Sequence, residues 1–437
     1  MHVILTVAGK SERFWPLKEK ALVPICGTTP MEHQLSVLRE AGLTDVTVVA
    51  SATNEAEVRR LLPDMPVVVQ ADDGSLGTRG ALLSALPTVK DEWVLVVAGT
   101  DLVDVNAYKS VLAAAAKPDT DGVFLGKKMS TYFPGGYLTV DGERIVSIVE
   151  KPKPGTEPSD LVNIVIHAHK REALLSALQE FPDEKGDGYS QAEQILMKKG
   201  RYVFAAYEGE WFAFKYPWDP IKALPLFLRR FSEQIIHPTA KIHPTAVIDG
   251  AVQIEEGVQV LAGAIIAGPA YIGAHTVVGY GTIIRGGSYG HHCALNGRSE
   301  LKNSVFYPHV WTHGDYIGDS VIAENVSLGN GCNLGNLRLD EGEISSTVRG
   351  QKIATGLKKF GSAIGEGCRF GFGVGIAPGV KVGGNSFVGS HALLTADVLD
   401  GRYVHTKNGV LEVRENRTSA PHPAGGERWE WQKTFAR

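Results

Sequence analysis

Residues 235–284 read IIHPTAKIHPTAVIDGAVQIEEGVQVLAGAIIAGPAYIGAHTVVGYGTII, and an aliphatic side chain stands at every sixth position. The nine positions in register are Ile236, Ile242, Ile248, Ile254, Val260, Ile266, Ile272, Val278 and Ile284. A six-residue period is typical of a parallel β-helix, in which each hexapeptide forms one side of a coil and the aliphatic side chains stack inside. After a less regular middle that contains Ile317, Ile322, Leu328 and Leu334, the period returns at Ile364, Phe370, Ile376, Val382, Val388 and Leu394. We therefore predict an all-β parallel β-helix over residues 233–414.

The first half of the chain has a different pattern, in which apolar β-branched runs alternate with stretches of helical period. The runs Val3–Ala8 and Val46–Ala50, for example, are separated by the helical stretch Met31–Ala41. Only 17 of the 50 glycines lie in residues 1–234, which indicates a change of fold near the middle of the chain. We predict an α/β Rossmann-like domain with a buried parallel sheet over residues 1–232.

The overall composition limits the classes of partner. The chain has 44 Lys and Arg against 48 Asp and Glu, and a net charge of −4 indicates neither nucleic acid nor a membrane as a partner. The four cysteines form no CxxC pair, and no stretch approaches the roughly 18 apolar residues of a membrane span. We therefore expect a cytoplasmic protein. In the C-terminal tail, residues 415–437, docking of Trp429 and Trp431 on a neighbouring coil and disorder both remain open.

Polar, glycine-containing segments follow three of the predicted strands, at the sheet edge where ligands bind in α/β folds. The first contains Gly9, Arg13 and Lys20, and a glycine turn with basic side chains suits a triphosphate. The second, residues 70–81, reads QADDGSLGTRGA and leads into a helix. The third contains Asp101, whose carboxylate is a ligand type that Mg²⁺ accepts. Each segment taken alone also fits an ordinary structural turn.

Together and in this order, the three segments resemble the sugar-1-phosphate nucleotidylyltransferase family. The seven-residue step from Arg13 to Lys20 is similar to that in its bifunctional bacterial members, which acetylate glucosamine 1-phosphate and then uridylylate it. The resemblance implies that a sugar phosphate attacks the α-phosphorus of a nucleoside triphosphate and releases pyrophosphate, while Arg13 and Lys20 offset the charge on the phosphates. It also assigns Gly9, Gln70, Gly77 and Thr78 to the nucleotide, Gly136, Glu150, Lys151 and Asn163 to the sugar, and Asp101 and Asp219 to Mg²⁺. Gln70 favours UTP or dTTP only through the family.

The irregular middle of the β-helix contains HGDYIGD at residues 313–319, which resembles the acetyltransferase segment of the same bifunctional enzymes. The resemblance implies a left-handed coil, acetyl-CoA as the acetyl donor and a homotrimer. It makes His313 the general base that removes a proton from the attacking amine, a role that suits imidazole. The residues that it assigns to the amino-sugar phosphate are Arg285, Lys302, Tyr316, Asn336 and either Lys358 or Lys359.

Three functions remain open on the sequence alone. The first is a bifunctional enzyme that acetylates an amino-sugar 1-phosphate and then transfers a nucleotidyl group to it. The second is a nucleotidylyltransferase whose β-helix only assembles subunits. The third is a non-catalytic sugar-nucleotide-binding scaffold, because Ser11, Glu19 and Ala213 depart from the family pattern.

Four histidines stand close together in the sequence before and within the irregular middle. They are His291, His292, His309 and His313. Because neighbouring residues of a strand point to opposite faces, we do not expect these histidines to form a metal site.

Overall fold

The computed structural model of the chain describes residues 1–71, 74–180 and 188–423, and it divides into two compact units. Unit 1 contains Met1–Lys10 and Pro30–Phe214, and unit 2 contains Ser11–Thr29 and the chain from Lys215 onward. Trp429 and Trp431 lie outside the described residues. Among the helices that the structure describes, none is long and apolar enough to cross a membrane.

Unit 1 is a mixed β-sheet with helices packed against it. Its strands are β1 (His2–Thr6), β2 (Val46–Ala50), β3 (Val67–Val69), β4 (Trp93–Ala98), β5 (Asp101–Leu102), β6 (Gly122–Lys128), β7 (Gly136–Asp141), β8 (Arg144–Glu150), β9 (Leu161–Lys170), β10 (Tyr202–Ala206) and β11 (Phe212–Ala213). Its helices are α1 (Pro30–Glu40), α2 (Glu55–Leu61), α3 (Gly77–Ala85), α4 (Val105–Ala115), α5 (Arg171–Gln179) and α6 (Gly188–Lys199). Buried side chains of α3, α5 and α6 pack against one face of the sheet, which is formed by alternate strand residues that include Ile4, Val94 and Val96.

The main sheet has the strand order β3-β2-β1-β4-β9-β6-β10-β8-β7. Strands β1 to β4 are parallel, which agrees with the alternation of apolar runs and helical stretches. Strand β9 is antiparallel to both β4 and β6, so the sheet is not the purely parallel one that the sequence predicts. The side chains of β9 are almost entirely buried on both faces of the sheet, and burial on both faces leaves no alternation in the sequence from which the direction of the strand could be predicted.

Unit 2 is a parallel β-helix preceded by one helix, α7 (Asp219–Leu228). Its strands are β12 (Ile235–Ile236), β13 (Lys241–Ile242), β14 (Val247–Asp249), β15 (Val252–Ile254), β16 (Gln259–Val260), β17 (Ile265–Ile272), β18 (Val277–Val278), β19 (Ile283–Tyr289), β20 (Ala294–Asn296), β21 (Glu300–Phe306), β22 (Trp311–His313), β23 (Tyr316–Gly318), β24 (Val321–Ile322), β25 (Asn333–Leu334), β26 (Ser345–Val348), β27 (Gln351–Ala354), β28 (Ala363–Ile364), β29 (Arg369–Phe370), β30 (Gly375–Ile376), β31 (Lys381–Val382), β32 (Phe387–Val388), β33 (Leu393–Leu394), β34 (Arg402–Lys407) and β35 (Val410–Glu415). Two antiparallel hairpins, β26–β27 and β34–β35, depart from the parallel pattern.

The aliphatic positions of the six-residue period form the core of the β-helix. Ile266 pairs with Ile248 and with Ile284, which stand three hexapeptides before and after it, so three hexapeptides make one coil. Most of these side chains are fully buried, as are the four in the irregular middle. Ile236 is 40% exposed because it lies in the first coil, which has no preceding coil to cover it.

The middle of the β-helix is irregular because its coils have different lengths. Leu301 pairs with Ile284 before it and with Ile317 after it, and both steps along the chain are shorter than three full hexapeptides. Ile322 then pairs with the distant Ile364, because the segment that contains the β26–β27 hairpin is inserted between them. These changes of spacing break the six-residue period without breaking the stack of coils.

The division into units differs from the predicted boundary at residue 232 in two places. In unit 2, the backbone N–H of Cys26 donates to Ser288 Oγ at 2.8 Å, and Trp15 Nε1 donates to Asp400 Oδ2 at 2.9 Å. Helix α7 also packs on the β-helix, where the ring of the adjoining Trp218 lies 6.1 Å from that of Phe360. Both segments therefore belong with the β-helix, although they precede its first repeat.

Candidate active sites

A polar cavity of about 170 Å³ lies in unit 1 beside β9 and α6. It brings together four of the predicted site residues, Thr78, Glu150, Lys151 and Asn163. The other lining residues are Val165, His167, Tyr189, Ser190 and Glu193. The predicted sugar-binding residues thus share one cavity with a predicted nucleotide-binding residue.

Asn163 is held at the cavity by a buried hydrogen-bond network. Its Oδ1 accepts from His167 Nε2 at 2.9 Å, and His167 Nδ1 lies 2.9 Å from the Tyr189 hydroxyl and 2.8 Å from Glu193 Oε1. Burial and the Glu193 carboxylate hold the pKa of Tyr189 well above its ordinary value, so its hydroxyl remains a donor. Sequence reasoning missed His167, Tyr189 and Glu193, because no local pattern links a strand to a later helix.

The β7–β8 hairpin positions the Glu150 carboxylate. Gly136 pairs directly with Glu150, and a Cβ atom at Gly136 would lie 2.7 Å from Glu150 Oε1. A glycine is therefore needed there if the carboxylate keeps its place. Lys151 has a φ of +45°, and its ammonium lies 3.6 Å from Glu150 Oε2. The hairpin therefore ends in an ion pair between two neighbouring residues.

The second glycine-rich segment of unit 1 places Gln70 beside the start of α3. Gln70 is buried, and its Nε2 donates to the carbonyl of Gly77 at 3.3 Å. Arg79, on the same helix, is also buried, and its Nε donates to the carbonyl of Leu178 at 2.9 Å. Arg79 therefore joins α3 to α5.

Asp101 follows β4, where its Oδ1 accepts from Trp211 Nε1 at 3.1 Å. Ala213 stands directly opposite Asp101 in the β5–β11 pair. A methyl group there provides no metal ligand, whereas Asp101 offers the carboxylate oxygens that Mg²⁺ prefers.

Three predicted groups of the nucleotidyl-transfer activity, Arg13, Lys20 and Asp219, lie in unit 2. The loop with Arg13 and Lys20 contains two residues with left-handed backbone, Ser11 with a φ of +51° and Glu19 with a φ of +46°. Ser11 Oγ accepts from the backbone N–H of Lys20 at 3.4 Å, so the serine side chain joins the two ends of the loop. The Arg13 guanidinium lies 5.8 Å from the ring centre of Tyr216. Gly9, by contrast, lies in unit 1 just after β1.

Asp219 begins α7 and is buried. Its Oδ2 accepts from the backbone N–H groups of Lys215 and Tyr216 at 2.7 and 2.6 Å, while Oδ1 lies 3.9 Å from Lys222 Nζ. Burial raises the pKa of this carboxyl above its ordinary value, opposed by Lys222 and the two N–H groups. Carboxylates such as Asp219 and Asp101 have the donor chemistry that fits Mg²⁺.

His313 lies in unit 2 at the end of β22 and lines a cleft of about 690 Å³. The other lining residues are Tyr280, Gly281, Asn296, Gly297, Arg298, Trp311 and Asn330. The backbone N–H of His313 donates to Asp315 Oδ2 at 2.6 Å, and Asn330 Nδ2 donates to its carbonyl at 2.9 Å. Two hydrogen bonds thus fix the backbone at the corner, and the imidazole is exposed to solvent.

Tyr316 and Asn336 meet on the adjoining side of the coil. The Tyr316 hydroxyl donates to Asn336 Oδ1 at 3.4 Å, and Asn336 Nδ2 donates to Asp319 Oδ2 at 2.6 Å. Asn303 Nδ2 donates to the other oxygen of Asp319 at 2.7 Å. Asp319, which sequence reasoning did not select, therefore orients the amide of Asn336.

Lys302 lies close to two other basic side chains, those of Arg285 and Lys359. Arg285 pairs with Lys302 across β19 and β21, and its guanidinium also forms an ion pair with Glu300. Burial lowers the pKa of Lys302, and so do Lys359 and Arg285, while Asp319 raises it. Lys359, one of the two lysines that the sequence offers, lies beside Lys302. Such a group of cations suits a phosphate.

Similarity to known proteins extends over both units. Residues 3–196 match the family described as MobA-like NTP transferase domain. A Sulfurisphaera tokodaii protein named bifunctional sugar-1-phosphate nucleotidylyltransferase/acetyltransferase is 32% identical over 417 residues, which cover 92% of this chain and 99% of that protein. Two proteins named bifunctional protein GlmU are also similar. The one from Methanococcus maripaludis is 27% identical over 95% of this chain and all of its own length, and the one from Methanocaldococcus jannaschii is 26% identical over 94% of this chain and 99% of its own length.

Proposed function

Since the chain belongs to the family of bifunctional sugar-1-phosphate nucleotidylyltransferase/acetyltransferases, we propose that it catalyses both steps from an amino-sugar 1-phosphate to a nucleotide sugar. Unit 2 transfers the acetyl group of acetyl-CoA to the sugar amine. The nucleotidyltransferase domain, residues 3–196, joins the acetylated sugar phosphate to a uridylyl or thymidylyl group. The observation that carries the proposal is the match to a relative named for both activities over 92% of the chain.

In the nucleotidyl step, the sugar phosphate oxygen attacks the α-phosphorus, the new P–O bond forms and pyrophosphate leaves. Glu150 and Asn163 hold the sugar in the cavity of unit 1, and Gln70 with Thr78 holds the nucleotide. Because the sugar phosphate oxygen is itself the nucleophile, no protein nucleophile is required. Arg13 and Lys20 offset negative charge on the phosphates. Bound Mg²⁺, for which Asp101 and Asp219 offer carboxylate oxygens, would supply further charge neutralisation.

In the acetyl step, His313 removes a proton from the sugar ammonium or amine as its nitrogen attacks the thioester carbonyl. The C–N bond forms, the C–S bond breaks and CoA leaves as the thiol after it takes up a proton. Tyr316 and Asn336 bind the sugar, and Arg285, Lys302 and Lys359 bind its phosphate. Asn336 Nδ2 donates a hydrogen bond to Asp319, and this bond supports the sugar-binding role of Asn336 because it fixes the orientation of the amide.

We also propose that the chain is a homotrimer. Large apolar side chains are exposed on the β-helix, and Tyr280, Phe372 and Leu393 are each more than half exposed. Surfaces of this kind are commonly covered by association. Tyr280 also lines the cleft of His313, so a neighbouring chain that covers it would help to close that cleft.

The test measures the two reactions separately in four variants. Pyrophosphate release is followed with UTP, N-acetylglucosamine 1-phosphate and Mg²⁺, and thiol release with acetyl-CoA and glucosamine 1-phosphate. Lys20→Ala should lose pyrophosphate release by about a hundredfold or more and keep thiol release. His313→Ala should lose thiol release by about 10²–10⁴ and keep pyrophosphate release.

Lys18→Ala and His243→Ala are the matched controls. Lys18 is an exposed lysine of the same loop, paired with Glu366, and His243 is a histidine that contacts Thr245 on the second hexapeptide of the coil. Neither control should change either rate more than about twofold. Absence of thiol release with every amino-sugar phosphate would favour a nucleotidylyltransferase with an assembly coil. Binding without turnover at any Mg²⁺ concentration would favour the non-catalytic scaffold.

A further inference from the structure

Three histidines stack at one corner of the β-helix, in successive coils. His275, His292 and His309 all have left-handed backbone, with φ values of +58°, +54° and +61°. The backbone N–H of His292 donates to the carbonyl of Ala274 at 2.9 Å, and that of His309 donates to the carbonyl of His291 at 3.1 Å. These bonds hold the corners one above another, so the ring centres of His275 and His292 are 5.0 Å apart and those of His292 and His309 are 5.2 Å apart.

His291 adds a third ring to the pair formed by His292 and His309. Its ring stands at 86° to both, at 5.1 Å from His292 and 5.5 Å from His309. The Nδ1 atoms of His291 and His292 are 2.9 Å apart, and one nitrogen from each of the three rings lies within 4.8 Å of the others. The expectation that alternation would separate these histidines is therefore wrong, because His291 and His292 lie in a turn between β19 and β20 and not within a strand.

The spacing of these nitrogens approaches what a tetrahedral metal ion needs. Zinc–nitrogen bonds of about 2.0–2.1 Å place neighbouring ligand nitrogens about 3.3 Å apart, so modest side-chain rotations would complete the set. Imidazole selects zinc, nickel, copper or cobalt over magnesium.

We propose that His291, His292 and His309 bind a divalent transition-metal ion, with Zn²⁺ as the best fit. The three ligands come from two successive coils, so the ion joins one coil of the β-helix to the next. Three protein ligands leave a fourth position for water or another group. The site differs in chemistry from the candidate Mg²⁺ ligands Asp101 and Asp219, whose oxygen donors suit a harder ion.

The competing explanation is that the histidines only stack, since left-handed corners favour residues such as asparagine, glycine and histidine. The chain offers variants that keep the corner and remove the ligand. Asn325 occupies the same corner in the coil after His309, with a φ of +57° and its backbone N–H bonded to the carbonyl of Pro308. His309→Asn and His292→Asn are therefore compatible with the backbone, and His275→Asn is the matched control, because His275 stacks on His292 but lies outside the three-ligand group.

The experiment is isothermal titration of Zn²⁺ into the untagged, chelator-treated full chain in excess Mg²⁺, which occupies sites with oxygen donors. We expect one Zn²⁺ per chain, a loss of affinity of at least about tenfold in His309→Asn and His292→Asn, and unchanged affinity in His275→Asn. Co²⁺ should give visible absorption bands in the wild type that disappear in His309→Asn. Absence of stoichiometric binding, or equal loss in the His275→Asn control, would overturn the proposal. Circular dichroism of each variant separates loss of the site from loss of the fold.

Discussion

Ile266 provides a direct test of which face of each β-helix strand points inward. It is fully buried between Ile248 of the preceding coil and Ile284 of the next, whereas the adjacent Ile265 is 38% exposed. Truncation of isoleucine to alanine removes three carbon atoms, which at about 0.8 kcal/mol each amounts to about 2.4 kcal/mol of lost transfer free energy. The cavity left inside a stack of closely packed coils raises the cost of Ile266→Ala to about 3–4 kcal/mol. Ile265→Ala leaves no enclosed cavity and should cost about 1 kcal/mol or less.

Hydrogen exchange followed by mass spectrometry measures the difference in local stability between the two variants. The peptides to follow are those that span residues 259–289, which contain both substituted positions. When exchange is limited by the opening equilibrium, every 1.4 kcal/mol corresponds to about a tenfold change in rate. Ile266→Ala should therefore accelerate exchange by about a hundredfold or more, and Ile265→Ala by less than about tenfold. Equal acceleration by the two substitutions, or a larger effect of Ile265→Ala, would refute the inward register.

Two further predictions concern pH and assembly. Burial raises the pKa of Asp315 from 3.8 to about 6, although the backbone N–H groups of His313 and Cys332 lower it. Between these two pKa values the folded chain keeps a proton that the unfolded chain has lost, so the free energy of unfolding should fall by about 2 kcal/mol as the pH rises from about 4 to about 6. Asp315→Asn should lack this fall, and a constant difference in unfolding free energy between the two proteins from pH 4 to 7 would contradict the assignment. For the proposed trimer, light scattering should give three times the chain mass of 47.0 kDa, and a single chain mass would contradict it.

The sequence predicts the β-helix well because one side chain in six must be apolar wherever the coil is regular. Burial of the aliphatic positions follows directly, and the exceptions are Ile236, Ile242 and Ile248, which lie in the first coil at the open end of the stack. The lengths of the middle coils were not predictable in this way. A coil whose corner is one or two residues shorter loses little stability, so the sequence is free to vary there. The aliphatic pattern also does not show that Ile322 pairs with Ile364 and not with an aliphatic residue nearer in the sequence.

The candidate site of unit 1 shows a different limit. The family resemblance assigns Glu150 and Asn163 to the sugar, and both side chains line one cavity. Their buried supports were not selected, because His167 and Tyr189 are brought together by tertiary packing. Strand β9 contains a bulge at which Phe124 pairs with His167 while the next residue, Leu125, pairs with Ile164. An irregularity of this kind re-aims side chains toward a site and leaves no repeating signal in the sequence.

The histidine cluster shows which rule of sequence reasoning failed and which would have succeeded. Alternation of side chains holds within strands, but a β-helix also has corners, where the backbone turns through a left-handed residue. From the coil of Gly257 to that of Asn325, the left-handed residues at this corner are Gly257, His275, His292, His309 and Asn325, and the steps between them shorten along the chain as these coils do. Residues with a tolerance for positive φ therefore mark the corners even where the aliphatic period is lost. A search for glycine, asparagine and histidine at intervals of about one coil would have stacked His292 on His309, and His291, one position before a corner, would have been placed beside them.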